Sequence, residues 1–363
     1  MSYEKTILSW YEEFHTIPEV AWKEDKTTEK IAAILEDLGV NYHRFSDMTG
    51  LIGEMGEGNE VIAVRADIDA LWQEVDGVWQ GNHSCGHDAN ISMVLGAILY
   101  LKDQTLNKKI RFIFQPAEEK GEGAVAMMDK GALEQVTHLF GVHLRPIEEL
   151  PVGKVSASIQ HGAHVTLEGK IGGIDAHAAR PHQGKNAIDV VMDIHHSLKS
   201  IYLSPSESYS AKLTKVLAGG ESTNIIPGSA EFAIDIRAQK NEVLKEIKIK
   251  VEKIISHLEE FHEVSIKWEW SGLTPAAEIS HEAEKIAEEA ILSVVGKESL
   301  APMVVTPGGD DFHFYTVKHP HLKATMIGIG ADLEPGLHHP DMHFNTTVLD
   351  LGSRIIAETL IRA

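Results

Sequence analysis

Four short β-branched segments, each running into residues that can ligate a cation or carry a proton, constrain this chain more than any other feature. Residues 60–65 (EVIAVR) lead into Asp67 and Asp69, and residues 109–114 (KIRFIF) lead through Gln115 and Pro116 into Glu118 and Glu119. Residues 137–142 (THLFGV) end at His143, and residues 324–329 (ATMIGI) are followed after a short loop by His338 and His339. Short apolar runs without polar alternation read as strands buried on both faces. With helical segments between them, they predict an α/β fold, a mostly parallel sheet with helices on both faces. In such sheets the carboxyl ends of the strands gather ligands from distant parts of the sequence.

Helical spacing predicts helices over residues 6–16 and 24–38, the latter stopped by Gly39, and over 88–102, 281–295 and 347–361. Between residues 161 and 274 the texture changes to strand, helix, strand, strand, helix, strand, the order of a ferredoxin-like α+β unit. The helices of that unit are expected over 186–203 and 241–262. The 363 residues therefore divide into a catalytic domain, 1–160 with 275–363, and an inserted lid domain, 161–274. An insertion crosses the boundary twice and implies a hinge.

The densest chemistry lies in residues 82–90 (NHSCGHDAN), which hold the only cysteine, Cys85, beside His83, His87 and Asp88 at the mouth of a helix. A lone cysteine is ordinarily a small buried hydrophobe, and spacing alone does not separate His83 from His87. The strand ends change the weighting. Cys85, His87, Glu119, His143 and His338 are too many donors for one tetrahedral ion and suit two ions sharing a bridge, with Cys85 as a bridging thiolate. Asp67, Asp69 and Asp88 lie close in sequence or topology. Of the adjacent carboxylates Glu118 and Glu119, one can bind metal while the other carries protons.

Composition excludes some partners. A net charge of −21, spread along the chain, repels polyanions and argues against nucleic acid. The longest apolar run is far shorter than the roughly 20 residues that span a bilayer, which argues against a membrane partner. One cysteine suits a reducing compartment, and the mixed-charge start lacks a secretory pattern, so a cytoplasmic protein is expected.

The segments RADIDAL, CGHD, FQPAEE, GVHLRP, AHAARPHQGKNAID, GGESTNIIP, GGDDFHFY and GLHHP occur in that order. Together they resemble the signatures of the bacterial and plant metal-dependent amidohydrolases. This is the aminoacylase, hippurate hydrolase and auxin-conjugate hydrolase group of the aminoacylase and carboxypeptidase superfamily, and the resemblance covers nearly the whole chain. It implies a zinc-exopeptidase-like catalytic domain with a lid, and an enzyme cleaving the amide of N-acyl amino acids or similar small conjugates. It implies two divalent ions, zinc, manganese, cobalt or nickel, with Cys85 bridging them and His87, Glu119, His143 and His338 as ligands. Glu118 becomes the general base and acid, and Asp69 the acid that orients the ligands from behind. From the inserted domain it implies His177 polarising the scissile carbonyl, in some members across a dimer, which allows a homodimer through the lid. Asn224 and Arg237 match positions that hold the substrate carboxylate.

The chain departs from the family pattern at Trp72, where a proline is usual, in the short 73–82 segment, and at Asn90, where a histidine is common. Trp72 and Trp79 are expected to narrow the entrance or stack on an aromatic acyl group. Asp310 and Asp311 read as a helix N-terminus, and His15, His195, His196, His257 and His319 as surface residues. The competing readings are a metallo-dipeptidase or carboxypeptidase of the same superfamily, a metal-free thiol hydrolase with Cys85 as nucleophile, and a non-catalytic binding protein.

Overall fold

The computed structural model describes residues 2–363. It begins with helices α1 (Tyr3–His15) and α2 (Asp25–Asp37), then strands β1 (Asn41–Arg44), β2 (Leu51–Met55) and β3 (Val61–Asp67). A hairpin of β4 (Leu71–Val75) and β5 (Val78–Asn82) leads into α3 (His87–Leu101). Then come β6 (Lys109–Gln115), α4 (Gly123–Asp129), β7 (Val136–Pro146), β8 (Val155–Ser156) and β9 (Ile159–His161). The middle of the chain holds β10 (Ala163–Gly172), β11 (Ala176–His177), α5 (Ala187–Leu198), β12 (Tyr209–Ala218), β13 (Ile225–Ile226), β14 (Ser229–Ala238), α6 (Asn241–His262) and β15 (Ser265–Thr274). The last part holds α7 (His281–Val295), β16 (Leu300–Ala301), β17 (Val304–Thr306), α8 (His313–Lys318), β18 (Lys323–Leu333) and α9 (Val348–Arg362). Two compact units result: residues up to Gln160 with Glu278–Val305 and Asp310–Ala363, and His161–Ala277 with Thr306–Gly309.

In the first unit an eight-stranded sheet runs β1-β2-β6-β3-β7-β18-β8-β16. Its centre is parallel, β3 pairing with β6 and β7 and β7 with β18, while β1, β2 and β6 pair antiparallel at one edge. The pleat explains why both faces need helices. Ile62, Val64 and Ala66 of β3 enter one core with Ile7 of α1, Val94 and Ile98 of α3, and Ile355 of α9. The intervening Ala63 enters a second core with Met127 of α4 and Tyr315 of α8. Arg65 projects to that second side from the middle of an apolar strand.

The second unit is an antiparallel sheet of order β12-β14-β10-β15. One of its faces carries Val165, Leu167, Ile234 and Ile236, packed against Val190 and Ile194 of α5 and Ile247 and Val251 of α6. Asn186 caps α5 by accepting the Ile188 N–H at 3.1 Å. The helix stops at Leu198, five residues before the sequence reading ends it, because the Tyr209 hydroxyl takes over backbone groups beyond. It accepts from Leu203 N at 3.2 Å and donates to Ile201 O at 3.0 Å. The sequence reading also lacks β1 and the β4–β5 hairpin, which are largely exposed and carry no apolar run to mark them. No helix of the described residues is long and apolar enough to cross a membrane.

Helices α3 and α9 approach at two glycines. A Cβ on Gly96 would stand 2.2 Å from Ser353 Oγ, and one on Gly352 2.2 Å from Met93 Sδ. Gly96→Val is expected to lower the free energy of urea unfolding by about 1–3 kcal/mol, the usual cost of overpacking a filled core. An unchanged urea midpoint would show that the helices separate freely there.

Candidate metal centre

The sheet delivers the site residues at the carboxyl ends of its parallel strands. Asp67 closes β3 and Asp69 lies two residues beyond it, Glu118 and Glu119 follow β6, and His143 is in the last part of β7. Gly86, in the left-handed region at φ 83°, turns the chain between Cys85 and His87 at the start of α3. The turn after β6 passes through Ala117 at φ 53°, a conformation that costs a Cβ-bearing residue about 1–2 kcal/mol. A buried carboxylate holds it: Glu24 accepts the Ala117 N–H at 2.9 Å and the Thr49 hydroxyl at 2.6 Å.

The donors converge. Ligand atoms of Cys85, His87 and His143 lie within 4.8 Å of one another, as do those of Cys85, Glu119 and His338, and those of His87, Glu118 and Glu119. Cys85 Sγ is 3.6 Å from His143 Nε2, and His338 Nε2 is 3.5 Å from Glu119 Oε1. His339 turns elsewhere, its Nδ1 accepting the Asp341 N–H at 3.1 Å. His87 Nδ1 lies 2.9 Å from the Asp69 carbonyl oxygen and His143 Nδ1 2.7 Å from that of Leu144. Each ring is thus held through Nδ1 and turns its Nε2 towards the cluster. Asp69 also accepts the Glu119 N–H at 3.0 Å, which ties the two strand ends together. His87 Nε2 and Glu119 Oε1 are buried without a hydrogen-bond partner, an arrangement that is costly unless something else satisfies them. Imidazole, thiolate and carboxylate donors aimed at one volume fit divalent cations.

Beneath the cluster is an ion network that sequence reasoning missed. Arg65 is buried, donating from Nη1 to Asp67 Oδ2 at 2.6 Å, from Nη2 to Asp311 Oδ1 at 2.7 Å and from Nε to Gln115 Oε1 at 2.9 Å. Asn90 Nδ2 donates to the other oxygen of Asp67 at 2.8 Å. Asp311 is thus no helix cap: it is a counter-ion, also accepting from Gln115 Nε2 at 2.8 Å and Ala124 N at 2.9 Å. Asp310 accepts the Phe312 N–H at 2.8 Å in the turn that precedes α8. Glu118, Asp310 and Asp311 also cluster, but the Arg65 guanidinium already supplies the positive charge there. The signal available in the sequence was the arginine inside an otherwise apolar strand.

The electrostatics follow from burial and crowding. Burial pushes Glu118 well above the carboxylate range, with Asp310, Glu119 and Asp311 adding to it, and lifts Glu119 to about 7. Burial likewise raises the Cys85 thiol and lowers His143 to about 4. For His87 burial acts downward, but Asp67 and Cys85 outweigh it and hold the ring above its ordinary value. The site thus attracts positive charge. The buried Cys85 thiol, with its pKa raised, holds its proton, which disfavours it as a metal-free nucleophile.

The structure places the other expected residues as follows. His177, Asn224 and Arg237 are exposed and belong to the second unit. His177 pairs with Ile225 across β11 and β13, the Asn224 carbonyl accepts the Ala178 N–H at 2.9 Å, and Arg237 Nε donates to Asp235 at 3.1 Å. Trp72 and Trp79 share the hairpin face on which Gly81 closes against Pro18, opposite Gln73, so they turn away from the His338 loop. His196, His257 and His319 are exposed and His195 half-buried. His15, also exposed, lies with Nδ1 2.7 Å from Asp88 Oδ2, a tie the surface reading did not foresee. His83 is buried with neither ring nitrogen hydrogen-bonded.

A family model described as peptidase family M20/M25/M40 matches residues 63–362. The chain is 29% identical over 374 residues to the IAA-amino acid hydrolase ILR1-like 4 of Arabidopsis thaliana, covering 96% of this chain and 83% of that protein. It is 27% identical over 385 residues to an N-acetylcysteine deacetylase of Bacillus subtilis, covering 99% and 97% respectively. It also spans 46% of the length of a 30% identical Rhodococcus jostii protein named for glutamate–cysteine ligase 2-3. A dinuclear metal-binding peptidase of the M20 family from Bacillus subtilis superposes with a TM-score of 0.84 at 25% identity, over 99% of this chain and 98% of that one.

The Arg65 network gives a test of the platform. Arg65→Leu leaves Asp67 and Asp311 buried without their cation and is expected to cost about 3–5 kcal/mol of unfolding free energy. The stranded carboxyls would then be protonated more readily in the folded state, Asp67 rising from below its ordinary value and Asp311, which burial already lifts to about 7, rising further above its unfolded one. The loss should therefore be smallest in acid and grow as pH rises from the ordinary carboxylate range towards neutrality. Urea melts of the variant at pH 5 and pH 8 measure this, and equal losses at the two would contradict it.

Proposed function

Since the chain belongs to peptidase family M20/M25/M40, we propose that it is a metal-dependent amidohydrolase that cleaves the amide of N-acyl amino acids or similar small conjugates. The observation that carries this is the pair of unpartnered buried atoms, His87 Nε2 and Glu119 Oε1, inside a shell completed by Cys85, His143 and His338. Cys85 belongs to both donor groups, one with His87 and His143 and one with Glu119 and His338, and these residues would hold two ions between them. Two divalent cations held there, zinc, manganese, cobalt or nickel by the donor set, would acidify water and polarise the amide carbonyl. The deacetylase and auxin-conjugate hydrolase names of the relatives support the substrate class.

The chain's own residues divide the remaining work. Asp69 fixes the His87 tautomer through its carbonyl and so keeps Nε2 free to bind. Glu118 takes the proton of the attacking water and delivers it to the departing amine nitrogen. Its raised pKa, set by burial and by Asp310, Glu119 and Asp311, suits a group that must hold a proton between the two steps. His177 stabilises the oxyanion. Its Nδ1 accepts the Ala179 N–H at 3.1 Å, so the neutral ring carries its proton on Nε2, where it can be donated. Arg237, with Asn224, holds the substrate carboxylate, and Asp235 holds its guanidinium in place. We place the protein in the cytoplasm on the evidence of its single, unpaired cysteine.

We also propose a homodimer through the second unit, whose edge strand β12 exposes Val216 and Leu217. Sedimentation equilibrium should give twice the chain mass, and a monomer at micromolar concentration would contradict it. For the activity, the deciding experiment is a panel of N-acetyl and N-benzoyl amino acids against unblocked dipeptides, on metal-free protein reloaded with each cation. Turnover of dipeptides alone would favour the dipeptidase reading. Glu118→Gln is expected to reduce kcat by about 10²–10⁴-fold with metal content unchanged, the usual worth of a general acid–base group. Wild-type turnover in that variant would remove Glu118 from the mechanism.

A further inference from the structure

His338 is held differently from the other two histidines of the proposed metal shell. The His87 and His143 rings are each anchored by a carbonyl oxygen on Nδ1. The His338 ring makes no hydrogen bond among the described residues, is 54% exposed, and rises from a loop residue at φ 67°, a conformation that residues bearing a Cβ rarely adopt. Its direction has to be set through the backbone, and the backbone is gripped on both sides. The His338 N–H donates to Ser84 O at 2.8 Å, and its carbonyl accepts from Gln73 Nε2 at 2.8 Å. Two residues on, the Pro340 carbonyl accepts from Asn82 Nδ2 at 2.9 Å.

Gln73 and Asn82 sit on the two strands of the β4–β5 hairpin and set one another. Gln73 Oε1 accepts the Ser84 hydroxyl at 2.7 Å and Asn82 Nδ2 at 3.2 Å, so both polar ends of the Gln73 amide are engaged and its nitrogen is committed to His338. The hairpin has its own anchor where Gly81 packs on the Pro18 carbonyl, with no room for a Cβ. A free two-stranded hairpin is marginal in water, and here hairpin and loop support each other.

We propose that the β4–β5 hairpin is a clamp on the metal-binding loop and that Gln73 is the positioning residue that aims His338 at Glu119. The proposal rests on the metal-site reading above. It also gives a use to the short 73–82 segment and to a glutamine that touches no proposed ligand ring.

The test is cobalt(II) titration of metal-free protein, followed by visible absorbance, with the thermal midpoint of the metal-free form as control. Wild type should bind two equivalents and His338→Ala one. Gln73→Met should weaken one equivalent by about tenfold to a hundredfold, the usual effect of removing a ligand's supporting partner. The other equivalent and the metal-free midpoint should stay unchanged. Gln73→Glu keeps the acceptor for Ser84 but loses the donor to His338, and should match Gln73→Met. Wild-type titrations for both Gln73 variants would overturn the clamp, as would an equal loss at both equivalents with a lowered midpoint. Two equivalents retained by His338→Ala would instead overturn the ligand reading itself, and the clamp with it.

Discussion

Everything at the carboxyl end of the sheet rests on one buried cation. Arg65 stands in the middle of an apolar strand because partners from three elements meet it: Asp67 on its own strand, Gln115 at the end of β6, and Asp310 and Asp311 before α8. An arginine so placed is tolerated only when its donors are taken up. Its geometry therefore dictates where two strand ends and a helix can lie. The Asn90 amide extends the network into α3, so the segment carrying Cys85 and His87 is referenced to the same guanidinium.

This platform separates two tasks that a metal site has to combine. Charge is concentrated above it, where Glu118, Glu119, Asp67, Asp310 and Asp311 would repel one another without compensation. Arg65 neutralises the lower part of the group, leaving the upper part, with His87 Nε2 and Glu119 Oε1 unpartnered, as the place where further positive charge is stabilising. The histidines proposed as ligands differ in rigidity accordingly. His87 and His143 are ring-anchored and buried, whereas His338 is half exposed on a loop. A shell with one adjustable member can admit an ion that a fully rigid shell would have to assemble around.

The parallel strands were legible in the sequence because a buried strand has to be apolar along its length, and the residues just beyond such runs have few places to go but the site. That logic reaches Asp69, Glu118, Glu119 and His143 directly, and the CGHD motif adds Cys85 and His87. It fails where polar residues do structural work without a period to betray them. Asp311 looked like a helix cap because an acid before an apolar helix ordinarily is one, and nothing local signals a partner 246 residues away. Asn90 stands where a histidine is common, and its reason appears only once Asp67 is seen at 2.8 Å. The β4–β5 hairpin escaped because its strands are largely exposed and its contacts run to backbone carbonyls, which any residue could supply.

Metal affinity and proton affinity are two readings of the same field. Burial and mutual repulsion lift Glu119 to about 7 and Glu118 beyond the carboxylate range, and the Cys85 thiol rises with them. Each of these groups holds a proton more tightly than it would in water, since a proton relieves the crowding that a cation would also relieve. Cations held by the proposed ligands would have to displace those protons, so the apparent affinity of the site would rise as pH increases through neutrality. The division of roles proposed for the adjacent glutamates draws on the same competition. Under the proposed function Glu119, grouped with Cys85 and His338, would exchange its proton for a cation, and Glu118, grouped with Asp310 and Asp311, would keep the capacity to take one up and give it back.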